Sequence, residues 1–388
     1  MVDLLSQYEK IKNEVDKAVI DVIRSSAYIN GPEVRAFQEE MEAYLGAKHV
    51  IPCANGTDAL QIAMMALGFK PGDEVITASF TYVATAEVIA LLQLKPVLVD
   101  VDPITFSIDP KAIEAAITER TVAIVPVHLF GQCVDMESIL KIAKKYNLAV
   151  IEDTAQAIGA DYTFSDGRKF KSGVMGNIGC TSFFPSKNLG CFGDGGALYT
   201  NDDELAKKVR MIANHGQSVQ YVHDTIGVNS RLDSIQAAIL RIKLRNLHEY
   251  CIARQNAADY YDRAFQGHPS IKIPGRNPNS THVFHQYTLQ LPEGNRDALR
   301  TFLAEREIPA MIYYPIPLHM QKAYMDDRYE KDSFPITNAL CASVISLPMH
   351  TELTEEQLAY ISSSVLAFFE MEGNKNSEKL FPEQATKR

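Results

Sequence analysis

Short β-branched runs and helical stretches take turns along the first half of this sequence, and that alternation limits its fold more than any other feature. The runs are His49–Pro52, Glu74–Thr77, Pro96–Val101, Val122–Val127 and Ala149–Glu152. Apolar residues recur at helical spacing in Asp58–Leu67, Ala84–Leu92, Pro110–Ala116 and Met136–Tyr146. Strand and helix in turn predict an α/β fold, a large and mostly parallel sheet covered on both faces. Ligands of such sheets bind at the carboxyl ends of the strands.

The flanking segments extend this plan. Leu4–Ile23 reads as an amphipathic helix, and Pro32 can open a second one through Leu45 without losing a hydrogen bond, ended by Gly46. Strand candidates Cys180–Phe184 and Ala197–Thr200 flank a glycine-rich stretch, and helices are expected over Asp203–Ala213 and, as one long element, from about Leu232 to Phe265. The Pro/Gly/Asn-rich piece His268–Ser280 marks a boundary. Beyond it, His285–Leu291 reads as strand, and Arg296–Glu305 and Gln357–Phe369 as helices. The expected division is a large domain over residues 1–265, a smaller α+β domain over 266–372, and a mobile polar tail over 373–388.

Charge and composition narrow the partners. The 48 acidic residues exceed the 38 basic ones, for a net charge of −10, and the basic residues never cluster. No positive field for nucleic acid results. No run approaches the roughly 18 apolar residues of a membrane helix, and Met1–Lys12 lacks a signal-peptide core. A cytoplasmic protein is expected, with its six scattered cysteines reduced and no metal site, since none forms a CxxC pair.

The residues that carry chemistry lie where strands end. Lys187 follows Ser182-Phe183-Phe184-Pro185-Ser186 and precedes a glycine-rich loop. An amine desolvated there has a lowered pKa and is a nucleophile, as a Schiff base requires. Asp153 closes the run Ala149–Glu152 and can keep a pyridine nitrogen protonated. Ala54-Asn55-Gly56-Thr57-Asp58 is a glycine turn opening a helix, whose free N–H groups suit a phosphate, with the Thr57 and Ser182 hydroxyls as added donors. Tyr82 can lie against a ring face. Together these residues suggest pyridoxal 5'-phosphate. The stretch Gly190–Gly196 is not GxGxxG and lacks a ribose-binding acid, so it does not suggest a dinucleotide site.

These blocks, from Tyr28-Ile29-Asn30-Gly31-Pro32 to Ser346-Leu347-Pro348-Met349-His350, resemble the sugar aminotransferases of the DegT/DnrJ/EryC1/StrS family. The resemblance implies the aspartate-aminotransferase-type fold (fold type I). It makes Lys187 the cofactor-bearing lysine and proton shuttle, Asp153 the partner of the ring nitrogen, and Gln156 a neighbour of the phenolic oxygen. Gly56, Thr57 and Ser182 match phosphate ligands, and Tyr82 matches a ring-packing residue. In Gly227-Val228-Asn229-Ser230-Arg231, the resemblance implies that Asn229 and Arg231 reach a neighbouring subunit's cofactor phosphate and substrate. A homodimer with shared sites follows. Tyr313, Tyr314 and His319 match the segment over the sugar pocket, although relatives acting at C3 often carry His where Tyr313 stands.

The activity implied is transfer of an amino group from glutamate, leaving 2-oxoglutarate, to a UDP- or dTDP-linked keto-sugar in surface polysaccharide or lipopolysaccharide synthesis. The block from Gly227 to Leu240 looks more like relatives acting on 3-keto sugars than on 4-keto ones. A 4-keto aminotransferase and a sugar dehydratase on the same scaffold are the alternatives. Dehydratases carry histidine in place of the lysine, and Lys187 opposes that reading. A cofactor-binding regulator is a further one, opposed by the lack of any basic extension.

Overall fold

The computed structural model describes residues 1–380, with side chains to residue 372. Helices α1 (Leu4–Ser25) and α2 (Pro32–Leu45) precede the main sheet. The sheet strands are β1 (His49–Cys53), β2 (Glu74–Ala78), β3 (Lys95–Val99), β4 (Thr121–Ile124), β5 (Ala149–Asp153), β6 (Ile178–Ser182) and β7 (Gly196–Thr200). Interleaved with them are α3 (Gly56–Leu67), α4 (Ala84–Leu91), α5 (Pro110–Ala115) and α6 (Met136–Tyr146), and α7 (Asp203–Ala213) follows.

The seven strands lie in the order β1-β7-β6-β5-β4-β2-β3. All pairings from β6 to β3 are parallel, while β7 runs antiparallel to both β6 and β1. The mostly parallel sheet is therefore present, with one reversed strand. The reversed strand follows its sheet neighbour β6 through residues 183–195 without a helical crossover, a connection that suits antiparallel neighbours. It also aligns three chain segments, because Gly196 pairs with both Cys53 and Ser182.

Successive strand residues feed two different cores, as expected when both faces are covered. Val50, Ile76, Ile124, Val150 and Tyr199 pack with α2 and α6 on one face. Ile51, Val75, Ala123, Ile151 and Leu198 pack with α3, α4 and α7 on the other. All are buried, and each of the valine, leucine and isoleucine side chains contributes roughly 1.5–3 kcal/mol on burial.

The single long helix expected over residues 232–265 is two, α8 (Ser234–Arg245) and α9 (Leu247–Phe265). Asn246 breaks it: its side-chain amide donates to Ile242 O at 2.9 Å, competing with the helical ladder. Past α9, the antiparallel strands β8 (Tyr287–Gln290) and β9 (Val344–Leu347) pack with α10 (Arg296–Ala304) and α12 (Glu355–Leu380). Here a third apolar cluster, from Ala257 to Phe369, forms. Strand β9 and the helix α11 (Pro335–Ser343) before it went unpredicted. The closing helix continues to Leu380, where a tail was expected from residue 373; the rest of that expected tail, 381–388, lies outside the described residues.

Candidate active site

The loops after β1, β5 and β6 surround a cavity of about 660 Å³. Its near wall starts at the turn into α3. Asn55 caps that helix by accepting from Asp58 N–H at 2.8 Å, and Ala59 N–H bonds Asn55 O. The first-turn amides of Gly56 and Thr57 are left pointing out of the helix end, toward the cavity that both residues line. A Cβ on Gly56 would sit 2.6 Å from Ser182 Cβ, and one on Gly196 would sit 2.5 Å from the Asn55 backbone. Glycine at both positions lets the turn close on Ser182. Ser230 fixes it from outside, accepting from Ala54 N–H at 3.0 Å and donating to Asp58 Oδ2 at 2.6 Å.

Asp153 is the last residue of β5 and is buried in the cavity floor. Its Oδ1 accepts from Ala155 N–H at 3.1 Å and its Oδ2 from the Thr85 hydroxyl at 3.0 Å. Burial pushes its pKa up, opposed by those two hydrogen bonds and by the Lys187 charge. Its neighbour Glu152 points the other way. There it accepts from the backbone N–H of Gly173, Met175 and Gly176 and from His128 Nε2 at 2.9 Å. Because His128 Nδ1 accepts from Val134 N–H, Nε2 carries the proton. His128 is thus a packing element that supports the strand end.

Lys187 N–H closes a turn on Phe184 O at 2.8 Å, and its amine lies in the cavity with Asp153. Burial pulls the amine down to about 8, and Asp153 opposes the shift. A second lysine, Lys243 on α8, is also pulled down to about 8 by burial. It lies 5.5 Å from the Phe192 ring centroid and outside the cavity. Position, not basicity, distinguishes the two. Cys191, beside the same loop, is buried, and burial pushes its thiol up to about 11, which makes it a poor nucleophile at neutral pH.

Among the described residues, the far wall carries no carboxylate or ammonium group. Gln156 accepts from Phe130 N–H at 2.7 Å and donates to the Tyr314 hydroxyl at 3.1 Å. The Tyr314 ring centroid lies 6.1 Å from that of Phe80 and 6.2 Å from that of Tyr82. Tyr82 is 57% exposed at the cavity rim. Tyr313, Gln286 and His285 complete this side.

The cavity therefore gathers Gly56, Thr57, Tyr82, Asp153, Gln156, Ser182, Lys187, Tyr313 and Tyr314. Asn229 and Arg231 do not reach it within this chain; Asn229 is exposed and bridges Asn214 through its backbone. His319 also departs from expectation. It is buried behind the wall, where Nδ1 accepts from the Ser79 hydroxyl at 2.9 Å and Nε2 donates to Lys331 O at 3.2 Å. Both nitrogens are used, so it is a packing residue and not a cavity residue. Sequence reasoning missed Thr85, His285, Gln286 and Asp194. Only Asp194, within the glycine-rich stretch, had a local signal.

The sequence model of the DegT/DnrJ/EryC1/StrS aminotransferase family matches residues 9–366. The chain is 47% identical over 368 residues to the UDP-2-acetamido-2-deoxy-3-oxo-D-glucuronate aminotransferase of Pseudomonas aeruginosa, covering 94% of this chain and 98% of that one. It is 46% identical over 371 residues to a protein of Geobacillus stearothermophilus named pleiotropic regulatory protein, covering 95% and 98%. Among solved structures it resembles NtdA of Bacillus subtilis with bound cofactor PMP, with a TM-score of 0.86, 31% identity, and coverage of 93% and 82%.

Proposed function

The chain belongs to the DegT/DnrJ/EryC1/StrS aminotransferase family, and from that premise we propose that it transfers an amino group from glutamate to a nucleotide-linked 3-keto sugar. The relative named for a UDP-linked 3-oxo-glucuronate supports the substrate class. The observation that carries the reading is one cavity holding both Lys187 and Asp153 beside the Gly56–Thr57 turn. It fits pyridoxal 5'-phosphate by its donors: the free amides and the Thr57 and Ser182 hydroxyls for a phosphate, a buried carboxylate for a ring nitrogen, and an amine near neutrality for an aldehyde. When bound, the cofactor supplies the electron sink for the substrate's reacting carbon.

The chain's own residues supply the rest. The Lys187 amine would hold the cofactor and serve as the group that takes and returns a proton; its lowered basicity makes both directions accessible near neutral pH. Asp153, held by Ala155 and Thr85, keeps a ring nitrogen protonated, and a positive ring there would draw its raised pKa back down. Gln156 and Tyr314 would hold the ring's polar edge, Tyr82 would pack on its face, and Tyr313 would contact the sugar.

Asp153 and Asp194 line the cavity and Lys187 is its one ammonium or guanidinium among the described residues. A phosphorylated cofactor and a sugar nucleotide need more positive charge than that. Asn229 and Arg231 of a second copy would supply polar and cationic groups, in a homodimer with shared sites. Mixed dimers of Lys187→Ala and Asn229→Ala chains, each inactive alone, then regain part of the activity; no recovery contradicts sharing. The division into a cofactor domain (1–265) and a smaller one (266–372) belongs to this proposal, supported by the separate cluster from Ala257 to Phe369. So do a cytoplasmic location and a place in lipopolysaccharide or polysaccharide synthesis. Among the described residues, no helix is long and apolar enough to cross a membrane.

The test is reverse transamination, with 2-oxoglutarate as acceptor, on UDP- and dTDP-linked amino-sugars. C3 amino-sugars are expected to be consumed and glutamate formed. Inert C3 sugars alongside reactive C4 ones would overturn the 3-keto assignment.

A further inference from the structure

His285 is buried in the far wall of the cavity, and its Nδ1 finds no hydrogen-bond partner among the described residues. A buried polar nitrogen left open in a native structure calls for an explanation. Looseness does not provide one, because the segment around it is clamped. Val283 N–H donates to Gly131 O at 2.8 Å, and Val283 O accepts from Asn188, the residue after Lys187, at 2.9 Å. The buried Arg254 guanidinium donates to Phe284 O at 3.0 Å and to Met349 O at 3.1 Å.

The clamp holds Phe284 at φ 45°, in the left-handed region that non-glycine residues rarely adopt. Opposite it, a Cβ on Gly131 would meet Phe284 N at 2.8 Å and His285 N at 2.9 Å. Strain that positions an unpartnered side chain on a cavity wall is the pattern of a ligand contact. The same loop ties His285 to the Lys187 segment, so the two groups keep a set spacing.

The neighbouring chemistry narrows the ligand group. Burial and the charges of Lys187 and Arg254 push the His285 pKa well down, so the imidazole is neutral. Gln286, Tyr313 and Tyr314 beside it in the cavity are uncharged as well. The phosphate-binding features lie at the other wall, at the start of α3.

We propose that His285 is a substrate-contacting, specificity-determining residue that hydrogen-bonds an uncharged polar group, a hydroxyl or acylamino group, on the sugar ring of the nucleotide sugar. The inference rests on the reading of the cavity as a keto-sugar site.

The test is calorimetric titration of the cofactor-loaded protein with free UDP and with the UDP-linked 3-amino-sugar that the wild type consumes in reverse transamination. His285→Phe and His285→Ala are expected to keep their cofactor content, absorption spectrum and UDP affinity. Their amino-sugar Kd should rise roughly tenfold or more, and His285→Gln should recover part of it. The alanine variant carries the test if the larger ring does not fold. Unchanged amino-sugar affinity in His285→Ala would overturn the assignment, as would loss of cofactor without selective loss of the sugar. Failure of the wild type to bind any nucleotide amino-sugar would instead remove the substrate reading, and is seen before any variant is made.

Discussion

The two walls of the cavity are built on different principles. The near wall consists of groups at the ends of β1, β5 and β6: an amine, a carboxylate and a helix N-terminus, each fixed by its own strand and turn. The far wall combines Tyr82 and Gln156, from the loops after β2 and β5, with His285, Gln286, Tyr313 and Tyr314 from segments about 100 residues or more beyond Lys187, and these side chains are uncharged. The near wall has what group transfer requires; the far wall has what recognition of a hydroxylated ring requires. The two walls thus carry different chemistry, and under the proposed function variants on the two sides should fail in different ways.

The largest expected effect lies on the near wall. Lys187→Ala removes both the attachment point and the proton carrier, and turnover should fall by at least about 10⁴-fold. Phosphate-site affinity should remain. Near-wild-type turnover would move the chemistry to another group and break the distinction between the walls.

Asp153→Asn should slow turnover by roughly 10²–10⁴-fold, and it also gives a pH test of the coupling. The Lys187 amine reacts only when unprotonated, so amine-directed labelling of the cofactor-free protein should rise through about pH 8. The Asp153 charge raises that value, so Asp153→Asn should move the labelling midpoint to lower pH. A midpoint that stays in place would show that the two groups do not sense each other.

His319→Leu should have the smallest catalytic effect. It removes hydrogen bonds to Ser79 and Lys331 behind the far wall, which is worth about 1–3 kcal/mol of stability, while KM stays unchanged. A large rise in KM with unchanged melting temperature would return His319 to the cavity.

The same division explains what was legible in the sequence. The alternation of runs and helices points to the sheet because both strand faces are apolar, and Asp153, Gly56 and Lys187 were readable because strand ends and turns carry local signals. The reversal of β7 was not legible from strand composition, since a buried strand looks the same in either direction. Asn246 gave no warning, because asparagine breaks a helix only when its amide turns back on the ladder. His285 was read as part of a strand; it stands before β8 and is placed by Arg254, Asn188 and Gly131, three residues distant in sequence. His319 was grouped with Tyr313 and Tyr314, which line the cavity, whereas its own burial depends on Ser79 and Lys331.

Lys187 and Lys243 have amines of about equal basicity, so the central claim, that position in the cavity makes Lys187 the cofactor-bearing residue, is open to direct measurement. The protein loaded with pyridoxal 5'-phosphate is reduced with borohydride, digested and mapped by mass spectrometry. One phosphopyridoxyl group per chain, on the peptide containing Lys187, is the predicted result; a group on Lys243, or no stable label, would contradict the account.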